Sequence, residues 1–290
     1  LRQKLAESLK ARFASFSPEL LVVVDTLAFR VLTENASDLF PGVPTVFSGV
    51  VRGRLAPDAL TLRPTTGVFE EIDAAGTLDL MIRLQPRLKR VLAIAQGSDH
   101  AAELRRVAEQ QFAAHEGAKP IEWAQSTKLA DLRREVESLG PDEAALLLAF
   151  FDPKAFKERD DVMGLPWHVP FYSVYGSNIN QEPTIYRSEE QGAVGGRVVS
   201  YPAMGRAAGG LAVRVLRGEN PQSILPQERV GLVTVVDYRQ LERLGIPPRR
   251  VPEVATVINR PPSYLVRMWP YLLGGAMVIL AEGAIIALLI

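Results

Sequence analysis

The sequence predicts an α/β fold of parallel sheets covered by helices, followed by a C-terminal transmembrane helix. Apolar runs of strand length alternate with helical patterns along most of the chain. Such alternation indicates right-handed βαβ units, because parallel strands need a crossover that packs back on the sheet. The chain then closes on WPYLLGGAMVILAEGAIIALLI, Trp269 to Ile290, whose only formal charge is Glu282. About 20 such residues match a hydrocarbon core roughly 30 Å thick, with Trp269 and Tyr271 where an interfacial aromatic belt is expected. The competing reading is a buried core helix, but such helices are rarely this long without a polar stripe.

The elements follow in order. LRQKLAESLKARF reads as an amphipathic helix, and Leu20 to Val24 as a strand buried on both faces. TLAFRVLTENASDLF carries Leu27, Val31, Leu32 and Leu39 at helical spacing, and PTVFSGV and GVFEEID are the next two strands. A helix is expected over Thr77 to Leu84, stopped by Pro86, then a strand over Arg90 to Ala95 and a long helix over Asp99 to His115. Strand IEWAQS, helix Leu129 to Leu139 and strand AALLLAFF repeat the pattern. VPFYSVYGS is a further strand, Asn178 to Gly196 a polar loop, and Val198 to Tyr201 extended. MGRAAGGLAVRVLRGE predicts a helix whose small residues allow close packing, and LVTVVDYRQLERLGIP a strand and short helix. The Pro-rich segment from Pro247 to Leu265 reads as an extended connection with no core of its own.

Composition excludes several functions. The 290 residues hold 33 Lys+Arg against 33 Asp+Glu, so formal net charge is zero and no basic block marks a nucleic-acid partner. Cysteine is absent, which removes thiol chemistry, disulfides and thiolate metal sites. His100, His115 and His168 lack a paired-ligand spacing, so neither metal nor cofactor is expected. No signal peptide is visible. The chain opens inside a helix and closes inside an apolar run, so further segments are expected on both sides.

No catalytic site is expected within residues 1–290. There is neither a G-x-S-x-G elbow nor a phosphate-binding G-x-x-x-x-G-K-[ST] loop. GAVGGR, Gly192 to Arg197, precedes an extended stretch rather than a helix, which favours a hinge or strand-edge role. Glu70 and Glu71, as strand neighbours, are expected on opposite faces and so not in one site.

A binding site is located by the rule that ligands lie beyond the carboxyl ends of parallel strands. The candidates are Asp25, Thr26, Phe47, Ser48, Phe69 and Glu70 in the first part of the chain, then Gln96, Ser98, Phe151 and Tyr175. Thr26 has two readings, as helix cap or as ligand contact. Aromatic and polar residues at several strand ends make a wall for a small polar molecule. In the apolar helix, Glu282 is either a partner in a helix pair, assisted by Gly274, Gly275, Ala276 and Gly283, or a protonated residue tolerated by lipid.

The phrases LFPGVPTVFSGV, GVFEEID before TLDLMIRLQPRLKRVLAI, GAVGGRVVSYPAMGRAAGGLAVRVLRGENP and VVDYRQLERLGIP together resemble the ABC-transporter substrate-binding-like family, which has the type I periplasmic-binding-protein fold. The resemblance covers nearly all of the chain before the apolar helix. It implies two lobes, the first from 1–75 and 200–218 and the second from 76–199 and 228–246, with 247–268 as a juxtamembrane connection and 269–290 as the membrane helix. Relative to the family, the first lobe lacks its opening βαβ unit, which is expected to leave a bare sheet edge. The resemblance further implies an extracytoplasmic sensor region of a membrane histidine kinase or related signalling protein. That places the domain in the periplasm at a bacterial inner membrane, with a homodimer paired through the membrane helix. The alternative is a membrane-tethered solute-binding component of an ABC transport system. Arg249, Arg250, Arg260 and Arg267 precede the helix and, counted alone, favour a cytoplasmic domain, but long folded domains translocate largely regardless of charge.

Overall fold

The protein is described by a computed structural model covering residues 2–35, 37–117, 119–157, 162, 165, 168–179, 192–261 and 264–289. In chain order the elements are α1 (Arg2–Arg12), β1 (Leu21–Val24), α2 (Thr26–Glu34), β2 (Thr45–Val50), β3 (Thr65–Phe69), α3 (Ala74–Leu84), β4 (Arg90–Gln96), α4 (Asp99–Ala113), β5 (Ile121–Trp123), α5 (Leu129–Glu137), β6 (Glu143–Phe150), α6 (Pro153–Lys157), β7 (Phe171–Ser173), β8 (Gly195–Val199), α7 (Tyr201–Leu216), β9 (Leu232–Asp237), α8 (Tyr238–Arg243), β10 (Thr256–Ile258) and α9 (Tyr264–Leu289). Residues 1–258 form one compact unit and residues 259–290 a second.

The first sheet is parallel, in the order β1-β2-β3. Every residue of β2 and β3 is buried, as the apolar, β-branched runs require when helices cover both faces. Side chains alternate between those covers. Phe47 and Phe69 pack in a cluster with Phe29 and Leu32 of α2, while Val46 and Val68 join Met204 and Leu211 of α7. Strand β1 is an edge, with Val22 and Val24 exposed.

The second sheet begins as four parallel strands in the order β5-β4-β6-β7. Strand β8 continues it: Val194 N–H donates to Phe171 O at 2.8 Å, Val199 N–H donates to Val174 O at 3.2 Å, and Tyr175 and Val199 form a parallel bridge. Strand β9 then pairs antiparallel with β8, and β10 parallel with β9. Strands β9 and β10 therefore run opposite to β7, and the chain reaches Ile258 at the end of the sheet away from Tyr175. Gly196 makes the junction possible, because a Cβ there would stand 1.8 Å from Ser173 O of β7.

The structure corrects four expectations. The third strand ends at Phe69 rather than Asp73, because Asp73 instead caps α3, accepting from Gly76 N–H at 2.8 Å. Gly195 and Gly196 of GAVGGR lie inside the sheet on β8, not at a hinge or edge, while Gly192 precedes the strand. The Pro-rich connection is built into the fold up to Ile258. Its prolines flank a Thr-Val-Ile run with β propensity, which pairs with β9 as β10. Arg83 Nε donates to Arg250 O, and an Arg250 terminal nitrogen donates to Leu84 O, each at 3.0 Å, pinning the connection to α3. A short helix, α6, was not anticipated. Of the expected polar loop from Asn178 to Gly196, residues 180–191 lie outside the described residues.

In the second unit, Met268–Ile286 of α9 is a 19-residue stretch of mean hydropathy 1.5, none of it buried, long and apolar enough to cross a membrane.

Two glycine substitutions test this packing. Gly196→Ala forces β7 and β8 apart and should cost about 1–3 kcal/mol or more, read by chemical unfolding followed by circular dichroism. Gly209→Ala, where an added Cβ meets nothing within 4 Å inside α7, should stabilise by roughly 0.5–1 kcal/mol in the same measurement.

Candidate functional site

Strand ends of the two sheets meet at one hydrogen bond. Glu70, one residue beyond β3, accepts from the Tyr175 hydroxyl at 2.8 Å, and Tyr175 follows β7. His100, in the first turn of α4, brings Nε2 to 3.3 Å from the same hydroxyl oxygen. Since the phenol proton is directed at Glu70, Nε2 must carry the proton on the His100 side for this contact to be a hydrogen bond. Tyr201, the first residue of α7, stacks on Tyr175 with ring centroids 6.4 Å apart and planes 11° from parallel. Asp25 lies close enough for its charge to act on Glu70, His100 and Tyr201. Five side chains from five elements or element ends thus converge where a parallel-sheet fold places its ligand.

Burial governs the electrostatics. The Glu70 carboxyl is held above the usual carboxylate range, first by desolvation and then by the Asp25 charge, against the lowering effect of the Tyr175 bond. Desolvation likewise lowers His100, assisted by Arg54 and opposed by Asp25, which favours neutral imidazole. Both tyrosines are raised by burial and stay protonated. Among the described residues neither Asp25 nor Glu70 has an ion-pair partner. The arrangement offers carboxylate acceptors, a neutral imidazole and stacked aromatic faces, a set suited to holding a small polar molecule with hydrogen-bond donors.

The ten residues expected from the sequence separate into groups. Asp25, Glu70 and Tyr175 belong to the cluster. Asp25 adopts φ 79°, an uncommon conformation for a residue with a side chain, and its Oδ1 accepts from Leu27 N–H at 2.7 Å, so Asp25 rather than Thr26 caps α2. Thr26 is buried, its hydroxyl accepting from Val51 N–H at 3.0 Å. Phe47 and Phe69 have no exposed surface, and their rings pack 4.8 Å apart. Ser48 is buried beneath Asp25, whose N–H donates to its carbonyl at 3.0 Å. Gln96 donates to Ala124 O at 2.6 Å, and Ser98 caps α4, accepting from Ala101 N–H at 3.1 Å. Phe151 is exposed, and its N–H donates to Gln96 O. The expectation that Glu70 and Glu71 diverge also fails, because the strand stops before both. They line the same open cavity of about 500 Å³ with Arg52, Glu103 and Arg106. His100 and Tyr201 were missed; each lies in the first turn of the helix that follows a strand, and the strand-end rule applied to helix first turns would have found them.

No protein-family model matches the chain, and no curated protein matches it. Solved structures do. An ABC domain in complex with L-Trp from Streptococcus pneumonia is 19% identical, with 89% of this chain and 84% of that one covered at a TM-score of 0.60. A substrate-binding protein with adhesive properties from Clostridium difficile, in its ligand-free, open form, is 16% identical over 89% and 84%, with a TM-score of 0.65. A conserved domain protein from Vibrio cholerae is 19% identical over 88% and 83%, with a TM-score of 0.57. The fold is thus that of the periplasmic substrate-binding proteins.

The raised Glu70 carboxyl has a pH signature. A group whose folded pKa lies above its unfolded value binds more protons when folded, so stability is lost as pH rises from the ordinary Glu range through the folded value. Glu70→Gln, which keeps an acceptor for Tyr175, should therefore stabilise the protein at pH 7, and its advantage should shrink as pH falls through the folded value and be gone by the ordinary Glu value, about pH 4.5. Urea unfolding of both forms from pH 4 to 7 measures this. A difference that does not change with pH would show that Glu70 is not held above its ordinary range.

Proposed function

We propose that residues 1–258 are an extracytoplasmic domain that senses a small polar molecule by closing two lobes on it, and that α9 anchors this domain in a bacterial inner membrane. The observation that carries the reading is the Tyr175–Glu70 hydrogen bond, flanked by His100 and Tyr201, at which the strand ends of both sheets meet. In this reading the first lobe comprises 1–75 with the α7 region 200–218, consistent with α7 packing on β2 and β3. The second comprises 76–199 and 228–246, with β10 added to it. Ligand supplies differential affinity for the closed arrangement, and the chain leaving β10 passes that bias to a helix pair of a dimer. The output is a kinase or related signalling domain. The competing assignment, a tethered solute-binding component of an ABC transport system, draws support from the ABC and substrate-binding names of the similar structures. A helix after the binding domain, where an output domain would follow, favours sensing.

Thermal unfolding against a panel of amino acids, L-Trp included, and other small polar solutes tests the binding site. At least one solute should raise the melting temperature of the wild type, and Glu70→Ala and Tyr201→Ala should each abolish that rise. A rise of equal size in both variants would place the ligand elsewhere.

Signalling is tested separately, by cross-linking single cysteines introduced at Leu273 and neighbouring α9 positions in the membrane-bound protein, with and without the solute so identified. The pattern should shift on saturation, and Glu282→Leu should alter it if that carboxyl fixes the helix pair. An unchanged pattern favours the passive tether of a transport system.

A further inference from the structure

We propose that the end of the second sheet away from the cleft carries a docking surface for anionic lipid headgroups, built from Arg83, Arg87, Arg249 and Arg250. The inference rests on the reading of α9 as a membrane span and goes beyond it, since an anchor alone does not fix which face of the domain meets the bilayer.

Three observations converge. The exit point is set by the sheet, because β10 ends at Ile258 opposite Asp237, at the end away from Tyr175. From there residues 259–263 lead to Tyr264, a stretch that spans at most about 20 Å even when fully extended. A short tether therefore joins that end of the domain to the start of α9.

The second observation is the path of α3. It starts at the Asp73 cap just beyond Glu70 and ends where Gln85 accepts from the Tyr172 hydroxyl of β7 at 2.9 Å. Its C-terminal turn and the loop into β4 thus lie at the exit end, and the reciprocal hydrogen bonds of Arg83 and Arg250 hold the 248–250 turn beside them.

The third is charge. Arg83, Arg87 and Arg249 are exposed and Arg250 is half-buried. Among the described residues none of the four has a carboxylate partner. Other charges at this end neutralise one another, as Lys89 with Asp142, Arg90 with Glu122 and Glu143, and Arg239 with Asp237. Glu242 and Glu253 are close in sequence to Arg249 and Arg250, and Asp79, which lines one open cavity with Arg83, is turned to His115 Nε2 at 2.8 Å. Guanidinium groups suit phosphate oxygens because their planar donor fork matches two acceptors at once. A surface of this sign, tethered within a short reach of a bilayer, matches phosphatidylglycerol or another anionic headgroup.

The test uses the full chain in nanodiscs of phosphatidylcholine alone and of phosphatidylcholine with phosphatidylglycerol, read by hydrogen exchange of peptides covering 80–89 and 248–253. With the anionic lipid, exchange in both peptides should slow roughly fivefold or more. The triple variant Arg83→Gln/Arg87→Gln/Arg249→Gln should lose that protection, and added salt should remove it from the wild type without any mutation. Equal exchange in the two lipids, with the protein incorporated in both, would overturn the docking surface while leaving the anchor intact. Failure to incorporate into either would overturn the membrane reading, and the proposal with it.

Discussion

The architecture depends on the close approach of β8 to β7. Without a side chain at Gly196, the two backbones come near enough to hydrogen-bond, and four parallel strands are extended by three more. The consequences run in both directions along the chain. Tyr175 is bridged to Val199 and thereby placed beside Tyr201, where α7 departs to cover the first sheet. On the other side, β9 and β10 are turned against β7, which carries the chain to the opposite end of the sheet. A single steric allowance thus fixes both the meeting point of the two sheets and the place where the chain leaves the domain.

The meeting point is built at the expense of stability. A non-glycine residue at positive φ costs about 1–3 kcal/mol when its surroundings hold it there, and Asp25 is such a residue. Glu70 is kept partly from water without a cation to compensate it among the described residues, and the Asp25 charge adds to the penalty. The charge penalty, though not the backbone strain, would be relieved by a partner with donors or positive charge. The proposed binding role accounts for strain and carboxylates without a cation gathered at the ends of strands from two sheets, since a purely structural junction is free to replace them with apolar contacts.

Much of the fold was legible because its strands are buried on both faces. Runs such as Val91 to Ala95 and Ala144 to Leu148 have no polar alternation to confuse with a surface strand, whereas the equally apolar Val22 to Val24 is an exposed edge that the pattern alone reads as buried. The site was legible only by position. A strand-end rule locates backbone, and the side chain there points either to the cleft or to the core according to a pleat the sequence does not show. Hence Glu70 and Tyr175 fall in the cluster while Phe47 and Phe69 turn inward to pack against each other and Phe29. Glu70 and Glu71 were separated by an alternation that had already ended at Phe69. Strand β10 was obscured because flanking prolines mask a three-residue run too short to stand out by pattern.

In the sensing role proposed above, helix α3 is the physical link between Glu70 and the connection. Its N-terminus follows Glu70 by four residues and is fixed by Asp73, which caps the helix while pairing with Arg197 at 2.7 Å and Arg229 at 3.2 Å. Its C-terminus holds the connection through Leu84 and Arg83. A helix pinned at both ends transmits displacement as a rigid body, because shortening or bending it would break its own hydrogen bonds. A rearrangement at Glu70 that moves the first turn of α3 must move the 248–250 turn or break one of two reciprocal hydrogen bonds. Such an element couples sites only if it has two arrangements that ligand can bias. The Asp73 pairs offer a place where they can differ: Asp73 opens the helix that grips the connection, whereas Arg197 lies on β8, at the seam from which Tyr201 and α7 depart.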